Sequence, residues 1–361
     1  MADKGLILFY IDSMQKGGAN RVMANVTDYF AEHGYQVILV NDILPVDGIP
    51  EYNVNPKVKR MFLSDSATKQ EKSNFKRILK LRKIITNEKA QSVVSFMGPP
   101  NFRMLLASLG LPCRKIVSVR NDPYKEYGRQ WIKKWIAGQL FKAANGCIFQ
   151  TKEAALYFPK SVQNKSTVIF NPVNEEFFQE EQCPNPHNII TVGRLNVQKN
   201  HKLLIEAFSQ IEAFVPEDKL IIYGEGELRN ELESFIIQKG LEGRVELPGN
   251  MPDIPSKLKH AKCFVLSSDC EGMPNALMEA MAVGIPVIST DCPCGGPKTL
   301  IENENQGLLV TCGDARMLAE KLKLVLSNPQ LQKEMSHAAK CRAEVFRADR
   351  IYTLWEQYVC R

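Results

Sequence analysis

Residues 267–290 read SSDCEGMPNALMEAMAVGIPVIST. The segment leaves an apolar strand (CFVLSS, 263–268), passes a Gly-Met-Pro turn, opens a helix near Asn275 and enters a second apolar run, PVIST (286–290). Strand, turn, helix and strand in that order predict one crossover of a parallel sheet. Two carboxylates lie in it, Glu271 and Glu279. Glu271 precedes the helix and projects from the loop, whereas Glu279 projects from the second helical turn, so both can reach one ligand. The backbone amides of Gly272, Met273, Pro274 and Asn275 at the helix start, the proline excepted, suit a diphosphate or its neighbouring hydroxyls.

The same unit recurs on both sides. Downstream lies GLLV (307–310); upstream lie NIITVG (188–193), KLIIYG (219–224) and RVELPG (244–249). An earlier set comprises LILFYI (6–11), VILV (37–40) and runs at 92–96, 115–119 and 146–150, with helical stretches between them. Two doubly wound α/β domains in tandem are expected, joined near Asn171-Pro172-Val173, where Pro172, Pro184 and Pro186 break regular structure. Open parallel sheets bind ligands beyond the carboxyl ends of their strands, so two such sheets predict a cleft site. Arg194 just past one strand and Lys199 before the next helix are placed to converge on a phosphate pair.

The 361 residues, 44% hydrophobic and 24% charged, have the make-up of a globular chain. No run approaches the roughly 18 to 20 apolar residues of a membrane span, and MADKGLILFYID lacks the basic lead and small-residue exit of a cleavable signal. A cytoplasmic protein is expected. Residues 1–170 carry 26 Lys and Arg against 13 Asp and Glu, a net +13, while the remainder carries −7. The first half is therefore suited to an anionic partner. Residues 69–89 and the segment GRQWIKKWIAGQLF (128–141) mix cations with apolar side chains, and such a basic amphipathic surface suits anionic lipid. An apolar stripe packed into the core, with charges facing solvent, is the competing reading of each. No nucleic-acid motif accompanies the charge. Ten scattered cysteines read as reduced fillers, Cys292-Pro293-Cys294 being the one unusual pair.

The ordered set GRLNVQKN (193–200), YGEGELRNELE (223–233), Glu271-x7-Glu279 with GMPNALMEAMAVGIPVI, and GGP (295–297) resembles the retaining group 1 glycosyltransferases, family 4, of GT-B fold. KGGANRV (16–22) is similar to that family's GGAERV-type loop, with Asn20 at a usually acidic place. SVRNDP (118–123) resembles the version in bacterial surface-polysaccharide and lipid-linked-oligosaccharide enzymes. The resemblance implies an acceptor-binding domain over 1–172, a nucleotide-sugar-binding domain over 173–344 and a C-terminal helix, about 345–361, packing back on the first. It implies that Arg194 and Lys199 hold the donor diphosphate, that Glu279 meets the ribose and that Glu271 lies near the donor sugar. Gly193 belongs to the same diphosphate loop. Glu225, Asn250 and Met251 would frame the base, and Gly17 and Gly18 would admit the phosphate side. Arg120, Asn121 and Asp122 would line the cleft. The implied reaction moves a hexose or N-acetylhexosamine from a UDP-sugar to a saccharide acceptor, polyprenol-linked, at the inner face of the cell membrane. It uses no metal or other cofactor, two cations standing in for a divalent ion. A nucleotide-sugar epimerase and a non-catalytic nucleotide-sugar-binding subunit are the alternatives. A dinucleotide oxidoreductase is disfavoured because Arg229 occupies the place of the third fingerprint glycine.

Overall fold

A computed structural model describes residues 4–65 and 73–361. The cations Lys69 and Lys72 of the basic segment lie outside the described residues. Two compact units result, one of residues up to Asn171 together with Asp349–Arg361, the other Pro172–Ala348.

The first unit contains β1 (Leu6–Ile11), β2 (Gln36–Asn41), β3 (Lys59–Phe62), β4 (Ser92–Phe96), β5 (Arg114–Ser118), β6 (Gly146–Phe149) and β7 (Ser166–Val168). They form a seven-stranded sheet in the order β3-β2-β1-β4-β5-β6-β7, and every pair is parallel. The helices used below are α1 (Gly18–Glu32), α2 (Asn74–Asn87), α3 (Gly98–Ala107), α4 (Pro123–Glu126) and α5 (Trp131–Phe141). Strands β1, β4 and β6 are buried almost throughout, as a sheet covered on both faces requires.

The chain returns to this unit with the helix Ala348–Val359, whose Ile351 and Trp355 are fully buried. Trp355 stacks on Phe96 at 5.4 Å, and the Tyr358 hydroxyl accepts from the Cys147 amide at 3.0 Å. Leu354, about 100° of helix from Trp355, lies at the margin of the stripe of Ile351, Trp355 and Tyr358 and is exposed.

The second unit holds β8 (Ile189–Val192), β9 (Leu220–Tyr223), β10 (Val245–Gly249), β11 (Cys263–Leu266), β12 (Val287–Thr290) and β13 (Leu308–Val310) in the order β10-β9-β8-β11-β12-β13, again all parallel. In each sheet the direction of winding reverses once, between β1 and β4 and between β8 and β11. Crevices open at the carboxyl ends of those strand pairs. Among the described residues no helix is long and apolar enough to cross a membrane.

Candidate active site

In the second unit the loops that follow β8 and β11 meet at the reversal. Asn196 and Asn200 shape the first of them: the Asn196 side chain accepts from the Lys199 amide at 3.2 Å, and Asn200, at φ 44°, accepts from the Leu203 amide at 3.3 Å and caps the helix His201–Ser209. Lys199 is thereby aimed across the crevice. Its ammonium donates to Glu271 Oε1 at 2.6 Å, and the Ser268 hydroxyl donates to the same oxygen at 2.7 Å. Backbone and side-chain bonds tie the loops along their length. The Asp269 amide donates to Gln198 O at 2.9 Å, Gln198 Nε2 to Cys270 O at 2.8 Å, and the Ser267 hydroxyl to Lys199 O at 3.0 Å.

Glu271 and Glu279 are 6% and 5% exposed, so both acids of the pair lie within the fold rather than on its surface. Glu279 sits in the helix Asn275–Val283, whose first turn has neither a side-chain cap nor an acidic residue. Gly272, Met273 and Pro274 are buried at its entrance, Asn275 half-buried. A Cβ on Gly296 would lie 2.1 Å from Gly272 O, so the Gly-Gly-Pro turn packs backbone against backbone on the Glu271 loop. The Cys292 thiol donates to Ser268 O at 3.1 Å in the same wall, and burial pushes that thiol up. Cys294 is in a left-handed turn at φ 77°.

Arg194 is exposed and, among the described residues, its guanidinium makes no ion pair. Gly193 lies against the Lys199 stem, 3.2 Å from where its Cβ would stand. Glu225 follows β9, but Arg229 takes its carboxylate in two bonds, at 2.8 and 2.5 Å. Asn250 and Met251 follow β10, exposed and half-buried, beside the Gly224 amide that donates to Gly249 O at 2.9 Å.

Sequence reading did not single out His201. It is 3% exposed, its Nε2 lies 3.2 Å from Arg194 O, and burial pushes its imidazole down to about 4. It therefore stays neutral near pH 7 and donates to the arginine's carbonyl. Its one sequence signal is its place directly after the Lys-Asn pair. The folded value lies below the ordinary 6.5, so this stability is present above pH 6.5 and drains as pH falls towards 4. Between pH 7 and 4.5 the wild type should lose about 2 to 3 kcal/mol more than His201→Gln. Urea midpoints at the two pH values check this, and parallel losses in both proteins would refute it.

In the first unit, Gly17 stands in extended conformation at φ −172° before α1, which has no side-chain cap and no acid in its first turn; Gly18 is exposed. Asp122 caps α4 by accepting from the Tyr124 amide at 2.9 Å, and Asn121 Oδ1 accepts from the Asp122 amide at 2.9 Å. Arg120 is turned inward. Its guanidinium binds Asn171, lies 4.9 Å from the Phe96 ring centre and 5.9 Å from that of Trp355, and burial pushes it down to about 9. In this position it faces Asn171 and the rings of Phe96 and of Trp355 in the C-terminal helix. Glu126, which the sequence did not mark, accepts from the Gly98 amide at the start of α3, and desolvation pushes its carboxyl up to about 7.

Comparison with known proteins agrees with both halves of this geometry. A model of glycosyl transferases group 1 matches residues 173–342, and one of Glycosyltransferase Family 4 matches residues 16–177. Two Campylobacter jejuni proteins align over nearly the whole chain. The GalNAc-alpha-(1->4)-GalNAc-alpha-(1->3)-diNAcBac-PP-undecaprenol alpha-1,4-N-acetyl-D-galactosaminyltransferase is 26% identical over 97% of this chain and 96% of its own. The N-acetylgalactosamine-N,N'-diacetylbacillosaminyl-diphospho-undecaprenol 4-alpha-N-acetylgalactosaminyltransferase is 28% identical over 93% and 94%. Anabaena HepE, solved in complex with UDP, superposes with a TM-score of 0.80 at 18% identity, over 97% of this chain and 98% of that one. With matched models running from residue 16 to 342 and two parallel-sheet Rossmann-like units, the chain belongs to the group 1, family 4 glycosyltransferases of GT-B fold.

Proposed function

We propose that this glycosyltransferase moves a hexose or N-acetylhexosamine from a UDP-sugar, with retention and without a metal, to a polyprenyl-diphosphate-linked saccharide in bacterial glycan assembly. The observation that carries the donor side is the Lys199 ammonium, held at 2.6 Å by Glu271 in the loop that leads into the helix Asn275–Val283, with the exposed Arg194 on the same loop as Lys199. Two cations beside a helix start are what a departing diphosphate needs as its charge grows. The UDP in the Anabaena neighbour supports the choice of base, and the two Campylobacter names support the lipid-linked acceptor.

In the reaction so read, the bond from the anomeric carbon to the phosphate oxygen breaks. The acceptor hydroxyl oxygen bonds to that carbon on the same face, its proton passes to the departing oxygen, and UDP leaves. No protein nucleophile enters this scheme. Glu271 orients Lys199 and lies near the sugar, Glu279 meets the ribose, Gly193 and Gly272–Asn275 offer backbone, and Glu225, Asn250 and Met251 frame the base. In the first unit the candidate residues are Gly17, Gly18, Asn121 and Asp122. The enzyme would act from the cytoplasmic side, at the membrane where such acceptors reside.

The test is transfer from a panel of UDP-sugars to a synthetic lipid-linked saccharide, with and without EDTA, and the product's anomeric configuration read by NMR. Activity unchanged by EDTA and an anomer matching the donor's are expected. An inverted product would overturn retention, and loss of turnover restored only by a divalent ion would overturn the metal-free scheme.

A further inference from the structure

In the first unit α3 packs between α2 and α5, and these three helices carry eight Lys and Arg and no Asp or Glu. Helix α5 turns Ala137, Gly138 and Phe141 into the core. At about 100° per residue, Ile132 and Ile136 then fall on the opposite arc, with Trp135 beside them and Trp131 nearest the buried edge. Trp131 and Trp135 are 76% and 59% exposed, and both isoleucines are exposed beside them. The helix is thus apolar on both faces, and among the described residues nothing covers the outward one. Neighbouring α2 adds exposed Phe75 and Leu79, and α3 adds Leu106.

Arg77 and Arg103 are spent on Asp42, and Lys80 on Asp65, while Lys83 and Lys133 remain exposed among the apolar side chains. Lys134 extends over the Tyr124 and Tyr157 rings, which ties the patch to the short helix that Asp122 caps.

We infer that the outward face of α5, with its α2 and α3 neighbours, docks on an anionic lipid leaflet, Trp131 and Trp135 entering the interface. The inference rests on the reading of a lipid-linked acceptor for its purpose, though not for its test. Paired tryptophans suit the boundary between headgroups and acyl chains, and the exposed Lys83 and Lys133, on helices with no carboxylate of their own, complement anionic headgroups. A protein partner's acidic surface would meet the cations but would leave four large apolar side chains to be matched individually. A leaflet covers them all without register. Because the patch adjoins the Asp122 loop, docking would bring lipid headgroups beside the first unit's candidate residues.

The chain has three tryptophans, and the third, Trp355, is fully buried, so intrinsic fluorescence reads α5 against an internal reference. The purified full chain is mixed with phosphatidylglycerol vesicles, with phosphatidylcholine vesicles and with vesicles of brominated phosphatidylglycerol. Partitioning at least tenfold stronger onto phosphatidylglycerol than onto phosphatidylcholine, a blue shift and bromine quenching are expected. W131S/W135S should lose at least tenfold in partitioning while keeping the Trp355 signal and the circular dichroism of the fold. No vesicle binding, or binding that the double variant keeps, would overturn the inference. So would a concentration-dependent dimer abolished by the variant, which would make a second copy the occupant. Vesicle binding needs neither donor nor acceptor, so its failure leaves the transferase reading standing, and failure of transfer leaves the docking result readable.

Discussion

Lys199→Ala should cut kcat/KM by about 10²- to 10³-fold and should also weaken the folded second unit. In the proposed reaction the kinetic loss is that of removing one preorganised donor from a leaving group on which charge develops. The stability loss has a separate origin. Lys199 and Glu271 side chains are 16% and 8% exposed, and the alanine leaves the Glu271 carboxylate with the Ser268 hydroxyl as its remaining donor among the bonds described above. Breaking a buried pair from one side costs about 3 kcal/mol or more, because one charge is left uncompensated.

The two effects separate in a double-mutant cycle. Glu271→Ala should also lower turnover by orders of magnitude, since it releases the ammonium from the carboxylate that holds it at 2.6 Å. Adding Glu271→Ala to Lys199→Ala should restore part of the stability while restoring no activity, because no charge is then stranded. Urea denaturation and initial-rate kinetics on the four proteins check this. Additive stability losses would mean that the 2.6 Å contact does not couple the residues, and wild-type turnover in Glu271→Ala would refute the site.

Why the sequence carried the sheets but not this contact follows from ranges of interaction. The central strands announce themselves because parallel strands buried on both faces must be apolar throughout, as LILFYI and CFVL are. Strand β3, KRMF, and strand β7, STV, escaped because they lie at the sheet's two edges, half-exposed and short, where burial imposes no pattern. The two faces of α5 were likewise undecidable, since a stripe of tryptophan reads alike whether it meets core or solvent; the burial of Ala137, Gly138 and Phe141 is what decides it. Lys199 and Glu271 are 72 residues apart, and no local pattern says that two loop residues so separated will touch. The resemblance of SVRNDP implied a cleft position for Arg120, but no local pattern shows that the C-terminal helix, more than 200 residues later, supplies the Trp355 ring beside its guanidinium. His201 was silent because its work is done on a neighbouring carbonyl rather than through a motif residue.

Gly224→Ala should be the most damaging single methyl in the second unit. Gly224 has φ +142°, a conformation L side chains rarely adopt, and a Cβ there would stand 1.9 Å from Gly193 O. Neither clash partner is a flexible side chain, so relief requires moving backbone. That backbone is shared: the Gly193 amide donates to Tyr223 O, the Leu195 amide to Glu225 O, and the Gly224 amide to Gly249 O, each at 2.9 Å. Displacing Gly193 therefore displaces the loops after β8, β9 and β10 together, and with them Arg194 and the approach to Lys199. A loss of at least about 3 kcal/mol in stability is expected from strain and the broken zipper. UDP affinity should fall at least about tenfold, equivalent to about 1.4 kcal/mol. Gly240→Ala is the control: it has a similar sign of φ, +67°, but nothing within 4 Å of its Cβ, so it should cost about 1 kcal/mol and leave UDP binding unchanged. Denaturation and calorimetric titration with UDP compare the pair. Equal losses would show that backbone conformation alone makes glycine necessary at 224; a larger loss at 224, accompanied by weakened UDP binding, would show that the close approach of the three loops is what holds Arg194 in place.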